Sequence, residues 1–285
     1  MILFKRSNEL RNYLDSKRKQ GQKLGFVPTM GALHGGHISL IAGSKKDGNL
    51  CISSIFINPT QFNDPADFKK YPVTLEKDIV ILEASGCDVL FLPSVEEIYP
   101  GGTNTAIHYD LGSLETILEG HYRPGHFQGV CMVVHRLLDI LRPDNLYIGQ
   151  KDYQQCMVIK KLVGLIGMTE MIDVNISPTL REPDGLAMSS RNMRLSDDER
   201  KNAVTVYKAL HFIKDHLEKG ELSELKKKAQ SLLDDNGFKV DYVDIADANT
   251  LELVNHWDGQ QKLVALAAAF LNQVRLIDNI LLNEV

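Results

Sequence analysis

Two histidines three residues apart, His34 and His37, close the stretch Gly25-Phe26-Val27-Pro28-Thr29-Met30-Gly31-Ala32-Leu33-His34-Gly35-Gly36-His37. An apolar run enters Pro-Thr-Met-Gly, and the histidines then open what reads as a helix. A strand, a glycine-containing turn and a helix start present backbone N–H groups and the positive end of a helix dipole to an anion. Two imidazoles add further donors there, which suits a polyphosphate better than a neutral ligand. The alternative is a helix start with two surface histidines. For an isolated H-x-x-H that plainer reading leads, because short patterns match by chance.

Four more polar, turn-forming segments interrupt the apolar framework. Asn58-Pro59-Thr60-Gln61-Phe62-Asn63 follows a strand directly; its amides can hold hydroxyl and carboxylate oxygens of a small substrate, or it is a plain Asx/Pro turn. Glu119-Gly120-His121-Tyr122-Arg123-Pro124-Gly125-His126-Phe127 has the composition of a charged surface loop, which functional loops share. Gly149-Gln150-Lys151-Asp152-Tyr153-Gln154-Gln155 follows a strand and opens a helix. Lys151 can reach a phosphate as a point charge there, or simply decorate a charged helix start. In Met188-Ser189-Ser190-Arg191-Asn192, two hydroxyls and a guanidinium suit β- and γ-phosphate oxygens; the alternative is a polar turn. Singly each is a weak signal, but the five in this order are a strong one.

The elements that must hold these segments follow from periodicity. Short apolar runs at Leu24–Val27, Cys51–Ile57, Asp88–Leu92, Leu146–Ile148 and Met171–Ile176 alternate with amphipathic stretches at Thr74–Ala84, Phe127–Leu141 and Tyr153–Ile166. Such alternation predicts βαβ units and a parallel sheet covered on both faces, with ligands at the carboxyl ends of its strands. The texture changes near Pro178. Ser196-Asp197-Asp198-Glu199 reads as an N-cap with an acidic first turn, opening a helix to about Leu217. A helix over Glu221–Asp235 and strands over Lys239–Ala246, Lys262–Phe270 and Val274–Leu282 complete an α+β part. The expected fold class is therefore α/β, with a Rossmann-like parallel-sheet N-terminal domain (1–177) and a smaller α+β C-terminal domain (178–285). The two are expected to pack closely around a cleft, since clefts at domain interfaces favour ligands.

Composition narrows the function classes. The chain has 285 residues, 44% hydrophobic and 24% charged, which is ordinary for a soluble globular protein. A net charge of −5 argues against a general nucleic-acid binder. The run Lys226-Lys227-Lys228 sits in a helical pattern and reads as a solvated face. Cys51, Cys87, Cys131 and Cys156 have apolar neighbours and no C-x-x-C spacing, so buried free thiols in a reducing cytosol are expected. Met1–Arg6 lacks the long apolar core of a signal peptide, and the longest apolar run, Leu263–Leu271, is far short of a membrane span. A soluble cytoplasmic protein is expected, with no nucleic-acid or membrane partner.

The five segments resemble the signature blocks of the pantoate–β-alanine ligase family, within the nucleotidyltransferases that carry an H-x-G-H motif. The resemblance runs to about Arg194, and Pro28–His34, Asn58–Phe62 and Met188–Asn192 together are highly specific. It implies a two-step ligation. Pantoate attacks the α-phosphate of ATP to give pantoyl-adenylate and pyrophosphate, and β-alanine then displaces AMP to form the amide.

By the same resemblance His37, with His34 and Lys151, forms the catalytic set. The implied ATP site comprises Met30, Gly31, Ala32, Leu33, His34, Gly35, Gly36, His37, Gly149, Gln150, Lys151, Asp152, Leu180, Met188, Ser189, Ser190 and Arg191. Gln61 and Gln155 would bind pantoate, and Asn58, Arg123 and His126 would support the site. Mg²⁺ is expected mainly through the ATP phosphates, with Asp78 as an acidic candidate. A homodimer is implied, and the second half is expected to cover the acyl-adenylate against hydrolysis. This chain has Gly35 where a larger residue is common and Gln150 where glutamate is common; neither change removes a catalytic group.

Two rivals remain at this point. One is an H-x-G-H enzyme that transfers an adenylyl group to a phosphate acceptor, against which the neutral amides of Gln61 and Gln155 argue. The other is a catalytically silent nucleotide-binding protein, against which the intact set of His34, His37, Lys151 and Arg191 argues.

Overall fold

The computed structural model describes residues 1–63, 65–103 and 107–283. They form two compact units, Met1–Gly149 with Val158–Pro178, and Gln150–Met157 with Thr179–Val285.

In the first unit the chain runs β1 (Ile2–Phe4), α1 (Ser7–Lys19), β2 (Leu24–Thr29), α2 (Gly35–Lys46), β3 (Leu50–Ile55), α3 (Pro65–Lys69), α4 (Leu75–Ala84), β4 (Val89–Phe91), α5 (Val95–Ile98), α6 (Leu118–Tyr122), α7 (His126–Leu141) and β5 (Asn145–Gly149). Helix α8 (Tyr153–Leu165) begins among residues of the second unit and ends among those of the first, where β6 (Asp173–Ser177) completes the sheet. Among the described residues six parallel strands stand in the order β1-β4-β3-β2-β5-β6. This is the Rossmann-like α/β sheet the periodicity predicts.

Every position of β3 is buried, as a strand covered by helices on both faces requires. Ser53 is tolerated there because its hydroxyl donates to the Val27 carbonyl at 3.1 Å. Val27, Ile41, Cys51, Leu82 and Leu90 pack into one core between the sheet and its helices. Each fully buried side chain of this size contributes about 1.5–3 kcal/mol. From β2 the chain steps out through β3 to β4, then crosses to the other side of β2 for β5 and β6. The strand order thus reverses between β2 and β5, the point where open α/β sheets collect ligands. Met30–His37 follow the carboxyl end of β2, and β5 ends at Gly149.

The second unit contains α9 (Asp197–Ala203), α10 (Thr205–Asp215), β7 (Gly220–Glu221), α11 (Ser223–Asp234), β8 (Lys239–Asp247), β9 (His256–Trp257), β10 (Leu263–Leu271) and β11 (Val274–Leu281). Strands β11-β10-β8 form an antiparallel sheet, and β7 with β9 a two-stranded ribbon. Ala265, Ala267 and Ala269 on central β10 share a core with Leu210, Ile213 and Leu233 of the helices. The predicted capping box opens α9: the Ser196 hydroxyl accepts from the Glu199 N–H at 3.3 Å, and Glu199 accepts from the Ser196 N–H at 2.7 Å. The single helix expected to Leu217 is instead two, because the chain turns at Val204. There the Thr205 hydroxyl bonds back to Asn202, which itself donates to the Asn236 carbonyl.

No helix among the described residues is long and apolar enough to cross a membrane. All four cysteines are free and buried, and burial pushes the Cys131 thiol up to about 12. The thiolate is the reactive form, so a disulfide-exchange reagent is expected to titrate no cysteine rapidly in the folded protein and four after denaturation. A rapid stoichiometric reaction of the native protein would contradict that burial.

Candidate active site

The turn after β2 is held by a buried carboxylate. Gly31 and Ala32 take left-handed conformations, with φ of 85° and 50°, a shape glycine adopts freely and alanine only under constraint. The constraint is Asp78 in the first turn of α4, 1% exposed. One of its oxygens accepts the Ala32 N–H at 2.9 Å, the other the Leu33 N–H at 2.8 Å, and the Thr74 hydroxyl lies 3.1 Å from both. The Gly31 N–H is taken by the Thr29 hydroxyl at 3.2 Å.

The two histidines cap α2 reciprocally. His34 Nδ1 accepts the Gly36 N–H at 3.1 Å, and His37 Nδ1 accepts the His34 N–H at 3.3 Å. Both rings therefore have Nδ1 as acceptor, so each neutral imidazole carries its proton on Nε2. The ring centroids are 4.1 Å apart at 47°. A side chain at Gly36 would meet His34 Cε1 at 2.9 Å, so the ring position requires glycine there. The sequence reading assigned anion donation partly to backbone N–H groups of this turn. Those of residues 31–34, 36 and 37 are instead engaged inside it.

Asn58 organises the second segment from a fully buried position. Its side-chain carbonyl accepts from the Tyr99 hydroxyl at 2.8 Å, the Thr60 hydroxyl at 3.0 Å and the Thr60 N–H at 3.3 Å. Its amide donates at 3.1 Å to the Gly129 carbonyl and to Gln61 Oε1. Gln61 Nε2 in turn lies 3.0 Å from the Met30 sulfur, joining this segment to the β2 turn. From behind, His126 Nδ1 is 2.7 Å from the Gln61 carbonyl and Arg123 is 3.1 Å from His126 Nε2. Arg123 also pairs with buried Glu119 at 3.7 Å. Asn58, Arg123 and His126 thus converge on Gln61. Helix α7 comes so close that a Cβ on Gly129 would collide with the Thr60 carbonyl oxygen.

The remaining segments belong to the second unit. Lys151 lies in a 3₁₀ turn, Gln150–Asp152, with its ammonium 3.6 Å from Asp152. Gln155 is half-buried in the first turn of α8. The chain forms a short hairpin after Pro178, in which the Met188 N–H donates to the Leu180 carbonyl at 3.0 Å and Arg181 pairs with Ala187. Leu180 and Met188 are therefore cross-strand neighbours. Ser189 then caps a 3₁₀ helix, Ser190–Arg194, its hydroxyl accepting the Arg191 N–H at 3.3 Å.

Comparison with known proteins decides the family. The family model for pantoate-beta-alanine ligase matches residues 2–281. The chain belongs to the pantoate–β-alanine ligase family. It is 44% identical to the pantothenate synthetase of Cytophaga hutchinsonii over 99% of both chains. It is 42% identical to that of Bacteroides thetaiotaomicron over 97% of both. Among solved structures, pantothenate synthetase from Thermus thermophilus superposes with a TM-score of 0.90 at 37% identity, covering 100% of both chains. The ligase from Francisella tularensis, described as complexed with beta-gamma ATP and beta-alanine, gives 0.82 at 41% identity, covering 99% of this chain and 97% of that one.

In this ligase the sequence-nominated residues form three clusters: the β2 turn with Gln61 and its supports, the Lys151–Gln155 turn, and the Leu180–Arg191 hairpin and helix. Among the described residues no group of three or more His, Cys, Asp and Glu side chains could hold a metal ion. Asp78, nominated for Mg²⁺, has both oxygens bonded to the turn. The sequence reading missed Tyr99, Gly129 and the pair Asp278-Asn279. Asp-Asn in the middle of a mainly apolar strand is a readable signal; the close approach at Gly129 has none.

Proposed function

We propose that this ligase joins pantoate and β-alanine to give pantothenate through a pantoyl-adenylate made from ATP, with release of AMP and pyrophosphate. The observation that carries the reading is the reciprocal cap of His34 and His37. Two rings, each fixed as an Nε2–H donor, stand at the carboxyl end of β2 where the strand order reverses. The nucleotide and β-alanine named with the Francisella tularensis structure support it.

In the first step a pantoate carboxylate oxygen attacks the α-phosphorus while the bond to the bridging oxygen of pyrophosphate breaks. A carboxylate is already ionised at neutral pH, so this step needs alignment and charge cancellation rather than proton transfer. His34 and His37 donate through Nε2–H to phosphate oxygens whose charge grows in the transition state. An imidazolium would have to protonate Nδ1, the atom that accepts a backbone N–H in each ring, so both act as neutral donors. Lys151 neutralises the α-phosphate side, and Ser189, Ser190 and Arg191 hold the β/γ side. Met30–Leu33, Gly35, Gly36, Gly149, Gln150, Asp152, Leu180 and Met188 carry the rest of the nucleotide.

Gln61 and Gln155 take the hydroxyl and carboxylate oxygens of pantoate. Gln61 retains one amide hydrogen and one carbonyl lone pair beyond those held by Met30 and Asn58. In the second step the free amine of β-alanine attacks the acyl carbon, the acyl–oxygen bond breaks, and AMP leaves with that oxygen. Mg²⁺ would serve as the counterion of the triphosphate, and Asp78 acts on the turn rather than on the metal. The N-terminal domain, 1–177, carries the histidines and Gln61, and the 178–285 domain contributes Ser189–Arg191. A homodimer in a reducing cytoplasm completes the reading, supported by the family resemblance and the four free thiols; sedimentation mass checks the dimer.

Product analysis tests the reaction. With ATP, pantoate and β-alanine, AMP, pyrophosphate and pantothenate should accumulate in equal amounts and only when both acids are present. Pyrophosphate without AMP would instead mark adenylyl transfer to an acceptor. Gln61→Ala is expected to raise the KM for pantoate about 2- to 10-fold, the scale of one neutral hydrogen bond, with the KM for ATP unchanged. An effect on ATP alone would contradict the assignment.

A further inference from the structure

The pair Asp278-Asn279 lies in the middle of β11, facing Ala267 and Leu266 of β10 in register. The two residues are 4% and 2% exposed. Most buried polar groups are bonded, and for this pair the bonds run to two of the proposed nucleotide segments. The Asn279 amide nitrogen donates to the Gln150 carbonyl at 3.0 Å and to the Lys151 carbonyl at 2.8 Å, and Asn279 Oδ1 accepts from Gln150 Nε2 at 3.3 Å. The two carbonyls belong to the peptide planes on either side of the Lys151 Cα. One side chain therefore fixes both backbone dihedrals of Lys151 and the direction in which its side chain leaves the chain.

Asp278 holds the other segment. Its oxygens accept from the two terminal nitrogens of Arg181 at 2.6 and 3.0 Å, and the same guanidinium donates to the Gly185 carbonyl at 3.1 Å and to the Asn279 carbonyl at 3.0 Å. It also lies over the Tyr207 ring, 4.9 Å from the centroid. Arg181 and Gly185 belong to the hairpin that pairs Leu180 with Met188 and leads into Ser189–Arg191.

We propose that Asp278 and Asn279 are positioning residues of this ligase: adjacent strand residues that hold the Lys151 turn and the Leu180–Met188 hairpin in register for a nucleoside triphosphate. The inference rests on the reading of Lys151 given above. Bonds of this kind act on the reaction through the groups they orient, and such groups are strongly non-additive with the residues they serve.

The test uses the full-length enzyme. Asn279→Ala and the isosteric Asn279→Asp are measured beside Lys151→Ala and the double variant Lys151→Ala/Asn279→Ala, with melting temperature followed for each. Both Asn279 variants are expected to lower kcat/KM for ATP about 10-fold or more while the KM for β-alanine stays within twofold. Asn279→Asp should be at least as damaging as Asn279→Ala, because it keeps the shape and turns an oxygen towards two carbonyls. A role in packing alone predicts the reverse order. In single-turnover pyrophosphate release, Asn279→Ala should cost less than twofold once Lys151 is already alanine. Where Asn279→Asp does not fold, Asn279→Ser, which keeps one donor, should fall between wild type and Asn279→Ala. A folded Asn279→Ala with wild-type kinetics, or full additivity in the double variant, overturns the inference. Wild-type activity in Lys151→Ala overturns instead the reading of Lys151 on which it rests.

Discussion

His37→Ala is expected to leave the fold intact and lower turnover by ~10²-fold or more, the scale for losing one donor to charge that develops in the transition state. The ring does two things. Its Nδ1 accepts the His34 N–H at 3.3 Å, and in the proposed function its Nε2–H donates to phosphate. Losing the first loosens one helix-start hydrogen bond, which costs about 1 kcal/mol. Losing the second removes a donor whose value grows as the pyrophosphate departs. The loss should therefore appear in kcat at saturating substrates rather than mainly in the KM for ATP. His37→Gln keeps an amide donor of similar reach and should recover part of the lost rate. Steady-state kinetics with a melting curve check this, and a folded His37→Ala enzyme with near-normal turnover would contradict the role.

Asp78→Ala should produce the largest change in stability. It leaves the buried N–H groups of Ala32 and Leu33 without their acceptors. At about 1–3 kcal/mol for each unsatisfied group, the cost is roughly 2–6 kcal/mol. The Ala32 N–H would then lose the buried acceptor that constrains its left-handed conformation, so the histidines that follow lose their platform and turnover falls as well. Asp78→Asn keeps one acceptor oxygen but turns an N–H₂ group towards the other donor, and should retain an intermediate stability. Chemical denaturation measures the cost. Raising Mg²⁺ separates this role from metal binding: the positioning account predicts no recovery of Asp78→Asn activity, whereas a metal ligand predicts recovery. Wild-type stability of Asp78→Ala would contradict the account.

The parts of this molecule that were legible in the sequence are those fixed by local chemistry. Continuous apolar runs marked the central strands because a parallel sheet is buried on both faces. Ser196 and Glu199 announced the start of α9 because a capping box is a four-residue event. Strand β1 was not legible, since Ile2 and Leu3 are exposed and only three residues pair with β4. The break at Val204 escaped because its cause is partly distant: Asn202 bonds a carbonyl 34 residues away.

The site divides in the same way. His34, Gln61 and Lys151 follow strands and sit in turns, so their type and order suffice to nominate them. What holds them comes from remote chain. Asp78 acts on a turn 45 and 46 residues earlier, and Asn279 on carbonyls 128 and 129 residues earlier. In the sequence Asp78 is an acid and so a metal candidate, because a sequence cannot show that both its oxygens already have donors. The close packing at Gly129 is a purely three-dimensional constraint, and no local pattern reports it.

The central claim is that pantoate is activated as an acyl-adenylate, and oxygen tracing tests it directly. Pantoate carrying ¹⁸O in both carboxylate oxygens is incubated with the enzyme, ATP and β-alanine, and the AMP and pyrophosphate are weighed by mass spectrometry. The account predicts one ¹⁸O in every AMP formed from labelled carboxylate and none in pyrophosphate, because the attacking oxygen stays on the α-phosphorus when the amine displaces AMP. AMP free of ¹⁸O, with pantothenate formed at the same rate, would contradict it.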